Sequence, residues 1–322
     1  MMKKVLHIGS VGTSSIMKVI QEGIRLTDGL ETKVIYSRDM ERGRAFAGSA
    51  GVEECCDDYE AMIAREDLDI IYIASPNCFH AQQAVRALER GKHVIVEKPA
   101  AVSGGELREM EAAARQNGVF FFEAITTLFM PNYTVCRNML PRLGRLTGAD
   151  ICFGRYSSKY DDYLAGKNPN IFNPEMKAGA LNDMGIYCIH MAVDLFGAPQ
   201  QVSYEAEYGP NGIDLCGTLL LEYPELVCRI TTSKDRDLKC GFRLEGENGF
   251  LASEGELNVF PACYGEIGGA SVTINEPTGE NRMVHELARF RDAILNCDTE
   301  FFDRMCRQSR EAAEILERAH QN

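Results

Sequence analysis

The stretch DIIYIASPNCFHAQQAVRALERGKHVIVEKP, Asp69–Pro99, decides the fold. Two short runs of Ile, Val and Tyr, DIIYIAS and HVIVEK, flank a segment whose alanines and leucine recur at helical spacing. Each run is apolar almost throughout rather than alternating, as expected of strands covered on both faces. Gly91 follows the helical pattern where a left-handed residue ends a helix. Strand, helix and strand in this order form a right-handed crossover between parallel strands.

The same grammar extends to both sides. VLHIG, TKVIYS and VFFFEA read as further strands, and SSIMKVIQEGIRL, YEAMIARED and GELREMEAAARQNG as helices between them. The spacing predicts a doubly wound parallel sheet of Rossmann type over residues 1–124. Beyond residue 125 the pattern changes. Helices are expected at 131–141 and 180–196, and LTGADICFG, QVSYEAEYG, DLCGTLLLEY, LVCRITTS, CGFRLEGENGFLAS and GELNVF read as strands between Gly, Pro and Asn turns. Residues 125–322 therefore form an expected α+β domain on a large, mostly antiparallel open sheet. Helices near 282–296 and 303–320 close the chain, the last expected to pack back on the first domain.

Composition narrows the class. The chain has 322 residues, 45% hydrophobic and 25% charged, enough for two cores. A net charge of −13 with no basic cluster argues against nucleic acid, which demands grouped Lys and Arg. No apolar run is long enough to span a membrane, and MMKKVLHIG does not continue as a signal peptide, so a cytoplasmic location is expected. Twelve scattered cysteines without CxxC spacing suit reduced thiols, and no ligand spacing calls for a metal.

Candidate sites lie at the C-terminal ends of the parallel strands, where open α/β sheets bind ligands. After the first strand come Gly9, Gly12, Thr13, Ser14 and Ser15, which suit a pyrophosphate at a helix N-terminus. The GxGxxG fingerprint is incomplete, and a plain strand-to-helix loop is the alternative. The second strand ends in Ser37-Arg38, where an NAD-binding unit carries an acid; a guanidinium there suits the 2′-phosphate of NADP. The alternative makes Arg38 a surface charge and Asp39 the ribose acceptor. Ser75, Pro76 and Asn77 follow the next strand, with Asn77 also a helix cap, and His80 is either a cofactor contact or a helix-surface histidine. Glu97, Lys98 and Pro99 end the strand after that. In LNDMGIYCIH, Asp183 and Tyr187 share a helical face, with His190 three residues on. Core placement is the alternative for His190, and a helix-terminal acid that for Asp183.

Ser75–Pro99 resembles the ATPNxxHxxxAxxALxxGKHVxxEKP segment of the Gfo/Idh/MocA oxidoreductases. VFFFEAITTLFMP and KAGALNDMGIYCIH resemble the same family's "MEAxxxRFxP" and "GGGALxDxGxYxxH", so the similarity runs over almost the whole chain. YSSKYD and NIFNPEMKAGALNDMGIYCI are most similar to its dimeric dihydrodiol dehydrogenase and NADP-linked xylose dehydrogenase branch.

The resemblance implies that Lys98 lies by the nicotinamide and the substrate's reacting carbon. An ammonium there donates to a carbonyl as hydride arrives, and the neighbouring positive ring depresses its pKa. Asp183 and Tyr187 are implied as substrate-binding and acid/base groups and Glu97 as orienting the lysine or binding the cofactor, while Glu123 is taken as a further cofactor-side residue and His190, from its place on the Asp183–Tyr187 stripe, as a third substrate contact. Leu128 stands where many relatives have arginine and Ala180 where they have glycine, while Lys159, Tyr160 and Asp161 are pocket or surface residues.

The expectation is an NADP-dependent, or less favoured NAD-dependent, dehydrogenase or reductase acting on a CH–OH group of a sugar, polyol or diol. A homodimer or homotetramer is expected by analogy. A redox-neutral NAD-dependent glycoside hydrolase and a catalytically silent dinucleotide-binding regulator are the rival readings.

Overall fold

The computed structural model describes residues 4–321. They fall into two compact units, one comprising residues up to Ala101, Gly105–Ala124 and Gly279–Ser309, the other Val102–Gly104, Ile125–Thr278 and the chain from Arg310 onward.

The first unit is built on β1 (Leu6–Val11), β2 (Leu30–Tyr36), β3 (Glu54–Cys56), β4 (Ile70–Ile73), β5 (His93–Glu97) and β6 (Phe121–Ala124), in the order β3-β2-β1-β4-β5-β6. Every pairing is parallel. This is the doubly wound order in which strand direction of travel reverses beside β1. Helices α1 (Ser15–Leu26), α2 (Met40–Ala50), α3 (Tyr59–Ile63), α4 (His80–Glu89) and α5 (Gly104–Asn117) make the connections. All four residues of β4 are buried, consistent with an apolar run covered on both faces. α1 buries Met17, Ile20 and Ile24 at helical spacing. The three-residue strand β3, with Cys55 and Cys56 only part-buried, has no counterpart among the five strands expected from sequence.

The second unit begins with α6 (Pro131–Met139) and β7 (Leu146–Gly154), followed by the short α7 (Tyr160–Leu164) and α8 (Ile186–Phe196). Then come β8 (Gln201–Tyr208), β9 (Asp214–Glu222), β10 (Val227–Ser233), β11 (Gly241–Gly246), β12 (Gly249–Glu254), β13 (Cys263–Ile267) and β14 (Ala270–Ile274). The eight strands form one sheet ordered β14-β13-β12-β11-β7-β10-β9-β8, antiparallel except where β7 meets β10. Ala149, Ile151, Phe153, Leu219, Leu221, Ile230 and Leu244 turn one face into a core shared with Ile186 and Ile189 of α8. The other face carries charge, with Arg229 bonded to Asp150 of the adjacent strand at 3.1 Å.

Two strand expectations are corrected here. CGFRLEGENGFLAS is a hairpin of two strands turning at Glu247-Asn248, and GELNVF is no strand but a turn, with Gly255 at φ +124° and Phe260 at φ +42°. The closing helices are α9 (Met283–Leu295) and α10 (Thr299–Gln321). No helix of the described residues is long and apolar enough to cross a membrane.

Candidate active site

The C-terminal edge of the parallel sheet presents the turn after β1. Gly12 sits at φ +112°, and its N–H donates to the Tyr36 carbonyl at 3.1 Å. A Cβ at Gly12 would lie 2.6 Å from the Ala74 carbonyl oxygen, so only glycine lets the backbone pass this close to the end of β4. Gly9 is close-packed too, a Cβ there falling 2.9 Å from the Leu68 Cδ1, a side-chain methyl. Beyond the turn Ser14 caps α1 with no side-chain hydrogen bond, and Ser14 and Ser15 are exposed at the first amides of the helix. The backbone from Gly9 to Ser15 opens on the N-terminus of α1, an arrangement whose chemistry fits a pyrophosphate.

At the tip of β2, Ser37 is buried and its Oγ accepts from the Asp39 N–H at 3.3 Å. Arg38 is exposed, with its guanidinium 5.6 Å from the centre of the Phe79 ring. The Asp39 carboxylate accepts from the N–H groups of Glu41 and Arg42, both at 3.1 Å, and so caps α2. Arg42 in turn donates to the Thr13 carbonyl at 3.3 Å. The strand tip therefore offers two guanidinium groups, while the acid that competes for the ribose role is engaged by backbone.

Past β4, Ser75, Pro76 and Asn77 are part-buried, and the Ser75 hydroxyl donates to Gln83 at 2.7 Å. His80 is not on the helix surface. It is buried, with Nδ1 at 2.8 Å from the Pro99 carbonyl and Nε2 at 2.7 Å from the Ser75 carbonyl. Burial lowers its pKa against the opposing pull of those carbonyls. Both nitrogens face backbone carbonyls, and the single N–H of the neutral ring donates to one of them, so His80 packs between the end of β4 and the Lys98-Pro99 turn rather than reaching a ligand.

Lys98 follows β5 on a turn held from several sides. Glu123 is buried, and its carboxylate accepts from the Ala100 N–H at 2.9 Å, bracing the turn from β6. Glu97 accepts from the Tyr72 hydroxyl at 2.8 Å, and burial raises its carboxyl above the usual range while Lys98 pulls the other way. A second carboxyl that the sequence did not single out, Glu286 of α9, is buried beside it. Its pKa is raised well above normal by burial and by Glu97, with Arg282 opposing.

In the second unit, Asp183 and Tyr187 lie where a π-helical turn, Leu181–Gly185, runs into α8. Such turns recur at functional sites because the extra residue redirects side chains. Asp214, buried at the start of β9, makes the turn possible, since its Oδ2 accepts from the Leu181 N–H and the Tyr204 hydroxyl, each at 2.8 Å. The preceding Gly179 has φ +114°, and a Cβ there would meet Asp214 Oδ1 at 1.8 Å. Asp183 keeps 30% of its side chain exposed and bonds Lys234 at 2.7 Å. Tyr187 is part-buried, its ring edge-on to Phe153 with centroids 5.4 Å apart.

His190 is corrected from substrate ligand to core residue. It is fully buried in α8 among Cys188, Ile189 and Met191, with no surface for a substrate to touch. Tyr160 joins an aromatic group with Tyr156, Tyr163 and Phe172, whereas Lys159 and Asp161 are exposed and paired with Asp162 and Tyr156. Among the described residues one trio, Glu207, Cys216 and Asp235, groups ligand atoms within 4.8 Å, but Arg236 pairs with both carboxylates.

Comparison with known proteins agrees with this layout. Residues 6–125 match the profile of the oxidoreductase family with an NAD-binding Rossmann fold, and residues 141–252 that of the GFO/IDH/MocA C-terminal domain. The uncharacterised oxidoreductase YgjR of Escherichia coli is 32% identical over 290 residues, 90% of this chain and 88% of that protein. The NADP(+) scyllo-inositol 2-dehydrogenase IolU of Bacillus subtilis is 34% identical over 247 residues, covering 77% and 75%. The 3-ketoreductase KijD10 from Actinomadura kijaniata, solved with NADP and TDP-benzene, superposes with a TM-score of 0.88 at 21% identity, covering 99% of this chain and 98% of its own. With both domains matched and a relative of this identity along nine-tenths of its length, the chain belongs to the Gfo/Idh/MocA family of oxidoreductases.

Proposed function

We propose that this protein is an NADP-dependent dehydrogenase or reductase acting on a CH–OH group of a sugar, polyol or related diol. The observation that carries the cofactor assignment is the tip of β2. It ends in Ser37 and Arg38, Arg42 lies close behind, and Asp39 is committed to capping α2. Guanidinium groups pair with a phosphate dianion, whereas a carboxylate suits a free ribose hydroxyl. The relative IolU carries NADP(+) in its name and acts on a cyclic polyol, which supports both halves of the reading.

The dinucleotide supplies hydride transfer when bound. The turn at Gly9 and Gly12 and the first amides of α1 hold its pyrophosphate, Ser37 and Arg38 its 2′-phosphate, and the loop at Ser75, Pro76 and Asn77 lines the way to Lys98. Lys98 takes the proton of the substrate hydroxyl during oxidation or returns it to the carbonyl oxygen during reduction. His80 and Glu123 fix the turn that aims it, and Glu97 lies alongside. In the second unit, Asp183 is the group that accepts a hydrogen bond from a substrate hydroxyl, and Tyr187 is an acid/base group.

Calorimetric titration with NADPH and NADH at one ionic strength tests the cofactor half, followed by a screen of aldoses, polyols and diols by cofactor absorbance. Arg38→Ala should weaken NADPH about 10-fold to 100-fold, the worth of a charged hydrogen-bond pair, and NADH little. Equal losses for both cofactors would remove Arg38 from phosphate recognition.

A further inference from the structure

Lys234 follows β10 in the sequence TTSKDRD, which reads as a solvated charge run. In the fold its side chain is fully buried. Nζ donates to Asp183 Oδ2 at 2.7 Å and to the Ile171 carbonyl at 2.9 Å, and it stands 4.9 Å from the centre of the Phe172 ring. The backbone is pinned as well, with Lys234 N–H donating to the Leu215 carbonyl at 2.8 Å and its carbonyl accepting from Ser157 N–H at 2.9 Å.

Taking an ammonium wholly out of water is costly unless anions and dipoles replace its hydration. Here one carboxylate, one carbonyl and one ring face do so, the carboxylate from the turn of Asp183 and the other two from the adjacent residues Ile171 and Phe172. The pair is lopsided. Lys234 has no accessible side-chain surface, while Asp183 keeps 30%, so the cation sits beneath and the carboxylate looks outward. Partial exposure spares Asp183 some of the desolvation cost of the pair, and it also leaves one side of the carboxylate open to a ligand. An anion that must meet a ligand gains a fixed position from a cation it cannot swing away from.

We propose that Lys234 is a positioning residue, which from beneath holds the Asp183 carboxylate oriented to accept a hydrogen bond from a substrate hydroxyl. The inference rests on the reading of Asp183 given under Proposed function. A carboxylate so held can only accept, so the second unit selects neutral hydroxylated substrates over acid sugars, whose carboxylates it repels. Replacing Lys234 by a residue of like length without charge should free Asp183 to turn and rehydrate.

The experiment is a double-mutant cycle on the full-length protein. Lys234→Met, Lys234→Gln, Asp183→Asn and the doubles are assayed for kcat and KM on a panel of cyclic polyols, aldoses and uronates with NADPH and NADH. Thermal melting followed by circular dichroism reports whether each variant is folded, and NADPH affinity whether the first unit is undisturbed. Lys234→Met should lower kcat/KM for the preferred neutral substrate about 10-fold to 100-fold with NADPH affinity held. Lys234→Gln, which still donates one hydrogen bond, should recover part of the loss. In the Asp183→Asn background the same Lys234→Met change should cost about threefold at most, because its effect passes through Asp183.

Wild-type kcat/KM retained in Lys234→Met, or an equal loss in both backgrounds, overturns the inference and leaves the oxidoreductase reading intact. If Lys234→Met does not fold, Lys234→Gln decides by the same comparison. A wild-type protein that turns over nothing on the panel overturns both together.

Discussion

Asp214→Ala should disable the turn that carries Asp183 without touching a substrate group. In the wild type one carboxylate oxygen accepts from the Leu181 N–H and the Tyr204 hydroxyl, both at 2.8 Å and both shut away from water. The neighbouring carboxylate also raises the Tyr204 phenol above its usual pKa, after burial itself, so the pair holds a negative charge against a neutral phenol. Removing the acceptor leaves two buried donors unsatisfied at about 1–3 kcal/mol each, hence about 4 kcal/mol in all. In a unit of this size each kcal/mol is worth about 2–4 °C, so the melting temperature should fall by roughly 10 °C. Asp214→Asn keeps an acceptor oxygen and should lose about a third as much, by forfeiting the charge-assisted part. Melting followed by circular dichroism, with kcat/KM measured well below the transition, reads both consequences. Because Leu181 opens the turn on which Asp183 stands, Asp214→Ala should lose kcat/KM even while folded. A melting temperature within about 2 °C of wild type, or an Asn variant as damaged as the Ala variant, would refute the account of this turn.

Lys98→Ala should lower kcat about a hundredfold or more while calorimetric NADPH affinity stays near wild type, and unchanged turnover would exclude Lys98 from proton transfer. Glu286→Gln should stabilise the protein at pH 8 more than at pH 5. Glu286 has a folded pKa above its unfolded one, so the stability it gives is complete below the unfolded carboxyl value of about 4.3 and is lost as pH rises through the folded value. Glutamine mimics the protonated form at every pH, and a melting-temperature gap that stays constant or widens toward acid would contradict the buried-carboxyl account.

The elements legible in the sequence are those whose burial leaves a local mark. β4 and β5 are covered on both faces, so their residues must be apolar in succession, and Gly91 and Gly118 hold the positive φ that helix ends require. β3 left no such mark because three residues at a sheet edge need no apolar run, and Cys55 and Cys56 are only part-buried. GELNVF misled because Leu257 and Phe260 are buried from a turn, while of the strands that follow CYGEI buries only its two end residues and ASVTI only its last.

The site divides along the same line. Lys98, Asp183 and Tyr187 are proposed because their neighbourhoods repeat a family pattern, whereas Lys234, Asp214 and Glu286 drew no notice in the sequence, because a charged residue in a polar stretch looks solvated until its distant partner is known. Lys234 lies 51 residues from Asp183, and Asp214 lies 33 from Leu181. A buried charge is tolerated only where the fold brings it a counter-charge or a donor, so its meaning belongs to the pairing and not to the residue. His190 errs in the opposite direction. Its spacing from Tyr187 suggested one shared stripe, but the π-turn and the packing of α8 against β7 and β10 turn it wholly into the core. Helical periodicity gives the angle between side chains and not which way the helix is rolled, and here the roll is set by Phe153 against Tyr187 and by Asp214 beneath Leu181.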